Sequence, residues 1–348
     1  MVRNTAPNPY TKLEHDDWWH PIDLSGRPDG QVFTAKDINR FRQDGFVVVK
    51  GLWPEPRLQQ ATAEAKAVFP AEDVMAAYKD GRRPRLLSEM PWVKFGERSP
   101  DIALNHMTID ERVLGAVAQL IHVDPIDLRL SQSHVIAKYG HQVGEEIEGD
   151  QDIHVDYGNN SLMVPPKTVT PEAVACLCYY SDVDQSGGST HFARANNGEL
   201  TSYAPENFNP PNFVFGTNNG SAATDTGPRS AKRVALRYQN ERPVYYKPGT
   251  CIVYRLDAWH RGTPAALGEV RHTHHHVWRR ADAPWVNWQS LAPRMSAMPT
   301  RYMAHLSVLQ RTVLGFAAPG DRYWTEETID AVGQRYPGMD MNPYRDAL

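Results

Sequence analysis

The sequence has no excess of either charge: 37 Lys and Arg stand against 41 Asp and Glu, a formal net charge of −4 over 348 residues. This near-balance excludes a strongly basic nucleic-acid binder and a polybasic membrane anchor. No uninterrupted apolar stretch approaches the roughly 18–20 residues of a membrane span; the run Phe46-Val47-Val48-Val49 is closed at once by Lys50 and Gly51. The first residues, with Asn4, Asn8, Glu14, Asp16 and Asp17, lack the apolar run of a signal peptide. Cysteine is scarce. Cys176, Cys178 and Cys251 form no C-x-x-C pair and sit in apolar segments, so they read as reduced core thiols of a reducing compartment. A soluble cytoplasmic protein, with neither nucleic acid nor membrane as partner, is the expectation. Also missing are G-x-S-x-G, a P-loop and G-x-G-x-x-G.

What is present is enough to fold. A hydrophobic fraction of 41% and an aromatic fraction of 10% support a large core and exclude wholesale disorder. Residues 1–33 read as a polar extension, with Trp18 and Trp19 as its apolar anchors. Residues 34–126 read as a helical layer. Thr34-x-x-Asp37 resembles a capping box with Asp in place of Glu, Ile38 and Phe41 follow at helical spacing, and Gly45 is the stop. Phe46 to Val49 predicts a short buried strand, and helices are predicted for Glu55 to Val68 and Glu111 to Ile121.

From about Asp127 the pattern changes. Leu128 to Tyr139, Val174 to Tyr180, Arg233 to Gln239, Val244 to Lys247, Thr250 to Leu256 and Arg271 to Trp278 are runs rich in β-branched and aromatic residues. Pro248-Gly249 marks a turn between two of them. Short strands without intervening helices predict a mainly β core, an antiparallel barrel or jelly roll, over residues 127–280. Residues 195–230, dense in Asn, Gly, Pro, Ser and Thr, read as a lid whose Phe213 and Phe215 offer an apolar contact. Residues 281–348 read as a C-terminal cap, closing with a helix from Thr325 to about Gln334.

One constellation carries chemistry. In His154-x-Asp156, residues i and i+2 of a strand put an imidazole and a carboxylate on one face. His260, after the strand Thr250 to Leu256, supplies a third ligand. Two His and one carboxylate with the remaining positions open is the facial triad of non-haem Fe(II) oxygenases. Arg271 starts the next strand; pointing into a barrel it needs an anion, which a bound carboxylate or an internal Asp or Glu would supply. Thr273 shares its face. By the same alternation His272, His274 and His276 face the other way and predict a polar outer face or a support for the cap, while His275 points inward. Asp182 and Asp184 are too few for calcium, Asp257 suits a turn contact, and His141 and His191 rank below the triad as ligands.

The order His154-x-Asp156, His260, Arg271 resembles the Fe(II)/2-oxoglutarate dioxygenases. Three segments narrow the resemblance to the phytanoyl-CoA dioxygenase family: FTAKDINRFRQDGFVVVKGLW (Phe33 to Trp53), VACLCYYSDVDQSGGSTHF (Val174 to Phe192) and KPGTCIVYRLDAWHRGTP (Lys247 to Pro264). The resemblance implies a double-stranded β-helix of jelly-roll or cupin-like form, with Fe(II) held by His154, Asp156 and His260. It implies that 2-oxoglutarate is held by Arg271 and Thr273, and that O2 is the second cosubstrate. Lys138 matches a position where the family often carries a basic residue near the cosubstrate, and reads equally as a solvated strand-end lysine. The implied reaction is hydroxylation of a small organic molecule with release of succinate and CO2. Asp156 stands where related halogenases carry a small residue, which argues against halogenation. Tyr157, Asn159, Asn160, Phe213 and Phe215 are the candidate substrate contacts. The competing reading is a cupin-type metal barrel acting without 2-oxoglutarate, or a non-catalytic small-molecule binder.

Overall fold

The computed structural model describes residues 21–69, 87–89, 102–140, 142–143, 146–147, 151, 153, 155–156, 170–193, 238–283 and 300–348. The Trp18-Trp19 extension and the 195–230 segment lie outside them.

Among the described residues twelve strands are formed: β1 (Ile22–Asp23), β2 (Phe46–Lys50), β3 (Leu87–Glu89), β4 (Leu128–Tyr139), β5 (Gln142–Val143), β6 (Glu146–Ile147), β7 (Ala173–Tyr179), β8 (Thr190–Ala193), β9 (Glu241–Pro243), β10 (Cys251–Arg255), β11 (Trp259–Gly262) and β12 (Val270–Arg280). Seven make a major sheet in the order β1-β2-β10-β7-β12-β4-β3, three make a minor sheet in the order β11-β8-β9, and β5 pairs with β6. All pairings are antiparallel except the short β1-β2 contact. Among the described residues no helix is long and apolar enough to cross a membrane.

The major sheet is covered on both faces, so its central strand β7 is apolar throughout rather than alternating in polarity. In β7, Val174, Cys176 and Cys178 join the core beneath the helices, while Ala175, Leu177 and Tyr179 join the core shared with Phe192 and Trp259 of the minor sheet. The first helix, Ala35–Asp44, begins as its sequence demands. Thr34 Oγ1 accepts from the Asp37 N–H, the Asp37 carboxylate accepts from the Thr34 N–H, and Gly45 at φ 85° closes the last turn onto the Phe41 carbonyl. Helix Glu55–Val68 follows β2, and its Glu64 carboxylate accepts from the Ala103 and Leu104 N–H groups at the start of helix Ala103–Thr108. Helix Glu111–Ile121 is capped by Asp110 and buries Val113, Leu114, Val117, Ala118 and Ile121, the predicted face. A separate C-terminal core, built around Tyr302, Trp324 and Tyr344, includes Ile109 of the helical layer.

Four expectations are corrected. Val244 to Lys247 joins no ladder; the strand lies earlier, at Glu241–Pro243. Pro243 and Pro248 bracket the segment without N–H donors, and Val244 and Tyr246 are buried instead by side-chain packing. The run Arg233 to Gln239 lies outside the described residues up to 237, and its remaining Tyr238 and Gln239 are helical. Around His154-x-Asp156, Ile153 and Val155 belong to no ladder and Asp156 sits in a turn. Finally, His272, His274 and His276 are buried, because the helical layer covers the face they share, which is therefore not a polar outer surface.

Candidate metal and oxo-acid site

The space between the two sheets gathers the predicted polar residues. Asp156 is brought there by its backbone N–H, which donates to the Leu256 carbonyl at 2.8 Å. Nearby, Gln151 clasps β11: its N–H donates to the Gly262 carbonyl at 3.0 Å and its Oε1 accepts from the Gly262 N–H at 2.9 Å. His260, on β11, lies opposite Phe192 in the minor sheet and stacks on it with centroids 5.2 Å apart. Its Nε2 stands 3.7 Å from Asp156 Oδ1.

The outward atoms of both groups are already engaged. His260 Nδ1 is 3.0 Å from the Ala258 carbonyl, which places the proton on Nδ1 and leaves the Nε2 lone pair facing Asp156. Tyr254 Oη donates to Asp156 Oδ2 at 2.7 Å, leaving Oδ1 toward His260. Burial, and then the negative Asp156 beside it, hold the Tyr254 phenol well above its ordinary range, so it stays a donor. One imidazole nitrogen and one carboxylate oxygen thus converge with their second atoms tied down, a donor set that suits a divalent metal. His154 lies outside the described residues, as do Tyr157, Asn159, Asn160, Phe213 and Phe215 and the lesser candidate His141.

Arg271 opens β12 on the same inner face. It is 6% exposed, donates from Nη1 to the Gly188 carbonyl, and keeps a buried Nε with no hydrogen-bond partner among the described residues. Among the described residues it makes no ion pair. Lys138, directly across from it on β4, donates to the Thr263 carbonyl at 2.8 Å. Two cations directly opposite one another on one face repel, and an anion between them would reverse the sign. The Gly-Gly-Ser stretch explains how a carbonyl reaches Arg271. Gly187 and Gly188 have φ of 56° and 68°, and a Cβ on Gly188 would stand 3.2 Å from Ala265 Cα.

Between the two ends lie Thr273 and His275, with His134 and Gln132, which the sequence reading passed over. Thr273 Oγ1 is 3.1 Å from His275 Nε2, and His275 stacks on His134 at 5.1 Å. His134 Nδ1 is in turn 2.6 Å from Gln132 Nε2. Burial, then the charges of His134, Arg271, His276 and His260, pushes His275 well below its ordinary value. Burial pushes His134 down to about 4 against the pull of Asp156. The same two neutral rings therefore sense Arg271 at one end and the Asp156–His260 pair at the other. Tyr254, His134 and Gln132 were missed by sequence reasoning; for Tyr254 the available signal was its place on the strand that delivers His260.

The discounted groups have other uses. Asp182 and Asp184 bind Lys247 Nζ at 2.6–2.8 Å, His191 pairs with Glu241 at 3.2 Å, and Asp257 forms a buried ion pair with Arg255 at 2.8 Å.

No protein-family model matches the chain, and no curated protein matches it. Solved structures do. The non-heme alpha ketoglutarate dependent carbocyclase SnoK from nogalamycin biosynthesis aligns at 15% identity and a TM-score of 0.50, over 74% of this chain and 88% of that one. EvdO2 from Micromonospora carbonacea var. aurantiaca aligns at 12% and 0.48, over 77% of this chain and 100% of that one. AviO1 from Streptomyces viridochromogenes Tue57 aligns at 16% and 0.46, over 72% and 96%. The likeness to SnoK shows a shared fold.

Proposed function

We propose that the chain is an Fe(II)/2-oxoglutarate-dependent oxygenase that hydroxylates a small organic molecule and releases succinate and CO2. The observation that carries the reading is that the space between the two sheets holds two features. Asp156 and His260 are aimed at each other across 3.7 Å, and Arg271 is buried with an unsatisfied Nε and no carboxylate among the described residues. An uncompensated buried guanidinium costs several kcal/mol, and a bound dicarboxylate in its place would turn that cost into affinity. Asp156, His260 and, from the sequence motif, His154 would hold the iron. Arg271 would hold the far carboxylate of 2-oxoglutarate, with Thr273 and Lys138 beside it.

When bound, iron and 2-oxoglutarate supply the activation of O2. The chain's own residues do the rest. Ala258 and Tyr254 fix the two ligands, the neutral His134 and His275 line the space without adding charge, and the packed inner core excludes water. The SnoK likeness supports the reading, since that protein is described as alpha ketoglutarate dependent. The narrower placement in the phytanoyl-CoA dioxygenase family and the closed double-stranded β-helix rest on the three sequence segments. We read the chain as one dioxygenase domain, with residues 195–230 as its lid and Tyr157, Asn159, Asn160, Phe213 and Phe215 as substrate contacts.

Equilibrium dialysis of labelled 2-oxoglutarate against the chelator-treated protein, with and without Mn(II) as an inert stand-in for Fe(II), tests this reading. Metal-dependent binding that Arg271→Ala weakens supports it. Metal binding with no retention of 2-oxoglutarate would favour the cupin-type alternative.

A further inference from the structure

Across the major sheet from Asp156 and His260, three thiols converge beneath the helices. Cys176 and Cys178 are two apart on β7 and share a face. Cys251 on β10 stands directly opposite Cys178. The neighbouring pair, Tyr179 and Thr250, is bridged by an N–H to carbonyl bond of 2.9 Å. Cys178 and Cys251 are therefore a non-hydrogen-bonded pair, the kind in which facing side chains come closest. Their sulfurs are 2.8 Å apart, Cys176 and Cys178 are 3.4 Å apart, and all three lie within 4.8 Å of one another. Each residue is at most 2% exposed.

A second observation comes from β12. In register, His274 faces Cys178 and His276 faces Cys176, on the same side of the sheet. His274 is engaged, with Tyr180 Oη at 2.9 Å and the Ser133 hydroxyl at 3.1 Å. His276 is fully buried, and among the described residues its Nε2 has no hydrogen-bond partner. A buried imidazole nitrogen without a partner, on the strand that pairs with the one carrying Cys176 and Cys178, is costly unless something is bound to it.

We propose that Cys176, Cys178, Cys251 and His276 form an interior structural site for Zn(II). Soft thiolates select Cu(I) or Zn(II), and charge decides between them. Three thiolates leave a net charge of about −1 around the divalent ion and about −2 around the monovalent one, and residual charge in an apolar core is expensive. Three Cys and one His make a closed structural zinc set, in which tetrahedral Zn–S bonds of ~2.3 Å put the sulfurs ~3.8 Å apart. The thiols need to open by about an ångström, and His276 needs a side-chain rotation, to reach it. Binding displaces one proton from each thiol and releases the three to solvent, with no change of oxidation state. Because the site is enclosed, the ion enters as the chain folds and adds to the stability of the fold. A Cys178–Cys251 disulfide would leave both Cys176 and the His276 nitrogen without a role.

The test is elemental analysis of the full chain purified from zinc-supplemented cells, after dialysis of the folded protein against a chelator. Thiols are then counted in acid-quenched, alkylated, denatured protein by mass spectrometry. The site requires about one zinc per chain, retained until unfolding, with three alkylatable thiols. Zinc should persist in His260→Ala, which removes a ligand of the other site, and fall at least tenfold in Cys176→Ala and in His276→Ala. Zinc below a tenth of an equivalent in the folded parent, or an intramolecular disulfide, would overturn the proposal whether or not the variants fold.

Discussion

Tyr254→Phe removes one oxygen from the candidate site and leaves its shape. The hydroxyl donates to Asp156 Oδ2 at 2.7 Å, a short charge-assisted bond of a class worth about 1.5–3 kcal/mol. The ring keeps its contacts with Phe192 at 5.3 Å and His260 at 4.9 Å, so the variant should fold. What it loses is orientation, because the carboxylate is no longer held with Oδ1 toward His260. At 1.4 kcal/mol per factor of ten, the bond corresponds to a weakening of metal binding by roughly 10- to 100-fold, the range found for residues that orient metal ligands. Anaerobic competition between the protein and a chelating dye for Fe(II) or Mn(II) measures it, with thermal unfolding of the metal-free protein as the control for folding. An affinity within twofold of the parent, in a folded variant, would refute the idea that Tyr254 positions Asp156 for a metal.

Arg271→Ala should weaken 2-oxoglutarate binding by at least ~30-fold, from the ~2 kcal/mol lower bound for truncating one member of a buried charge pair, while leaving metal affinity within threefold. Unchanged 2-oxoglutarate retention would remove Arg271 from the site. Stability should fall with acidification. Burial, together with the positive Lys66, pushes His272 down to about 4, and His134 lies at about 4 through burial alone. The unfolded chain titrates near 6.5, so between these values it binds protons the folded protein does not, and stability present above pH 6.5 is lost toward pH 4. The loss is about 3 kcal/mol for each residue at the lower limit; urea midpoints that stay level between pH 7 and 5 would contradict it. Thr34→Ala should cost about 1 kcal/mol in urea unfolding and Thr34→Ser almost nothing, since the hydroxyl caps the first helix. Gly140→Ala would place a methyl 1.6 Å from the Ala266 carbonyl oxygen, whereas Gly30→Ala meets nothing within 4 Å. The first should cost about 3 kcal/mol or more and the second under about 1 kcal/mol, and equal melting temperatures would disprove the close approach.

Helices Ala35–Asp44, Glu55–Val68 and Glu111–Ile121 and the long strands were legible because each is dictated locally. The Thr34–Asp37 cap, the Gly45 stop and the all-apolar β7 need no distant partner to be read. Asp156 and His260 were legible as a chemical pattern, and Arg271 as a charge without a companion. What escaped the sequence depends on partners far along the chain. Strand alternation alone assigns His274 and His276 to a polar outer face, because one strand does not reveal that helices cover its other side. Tyr254 meets Asp156 across 98 residues of sequence, and the pairing of His134 with His275 exists only in the β4-β12 register. Val244 to Lys247 has the composition of a strand, but its backbone makes isolated bonds to Thr190 and Val183 rather than a ladder.

The most direct measurement of the central claim is the visible spectrum of the chelator-treated protein titrated anaerobically with Fe(II) and then with 2-oxoglutarate. The expected result is a weak charge-transfer band that requires both additions, vanishes in His260→Ala and shifts to higher 2-oxoglutarate concentration in Arg271→Ala. Iron binding with no band at saturating 2-oxoglutarate, or a band indifferent to both substitutions, would contradict it.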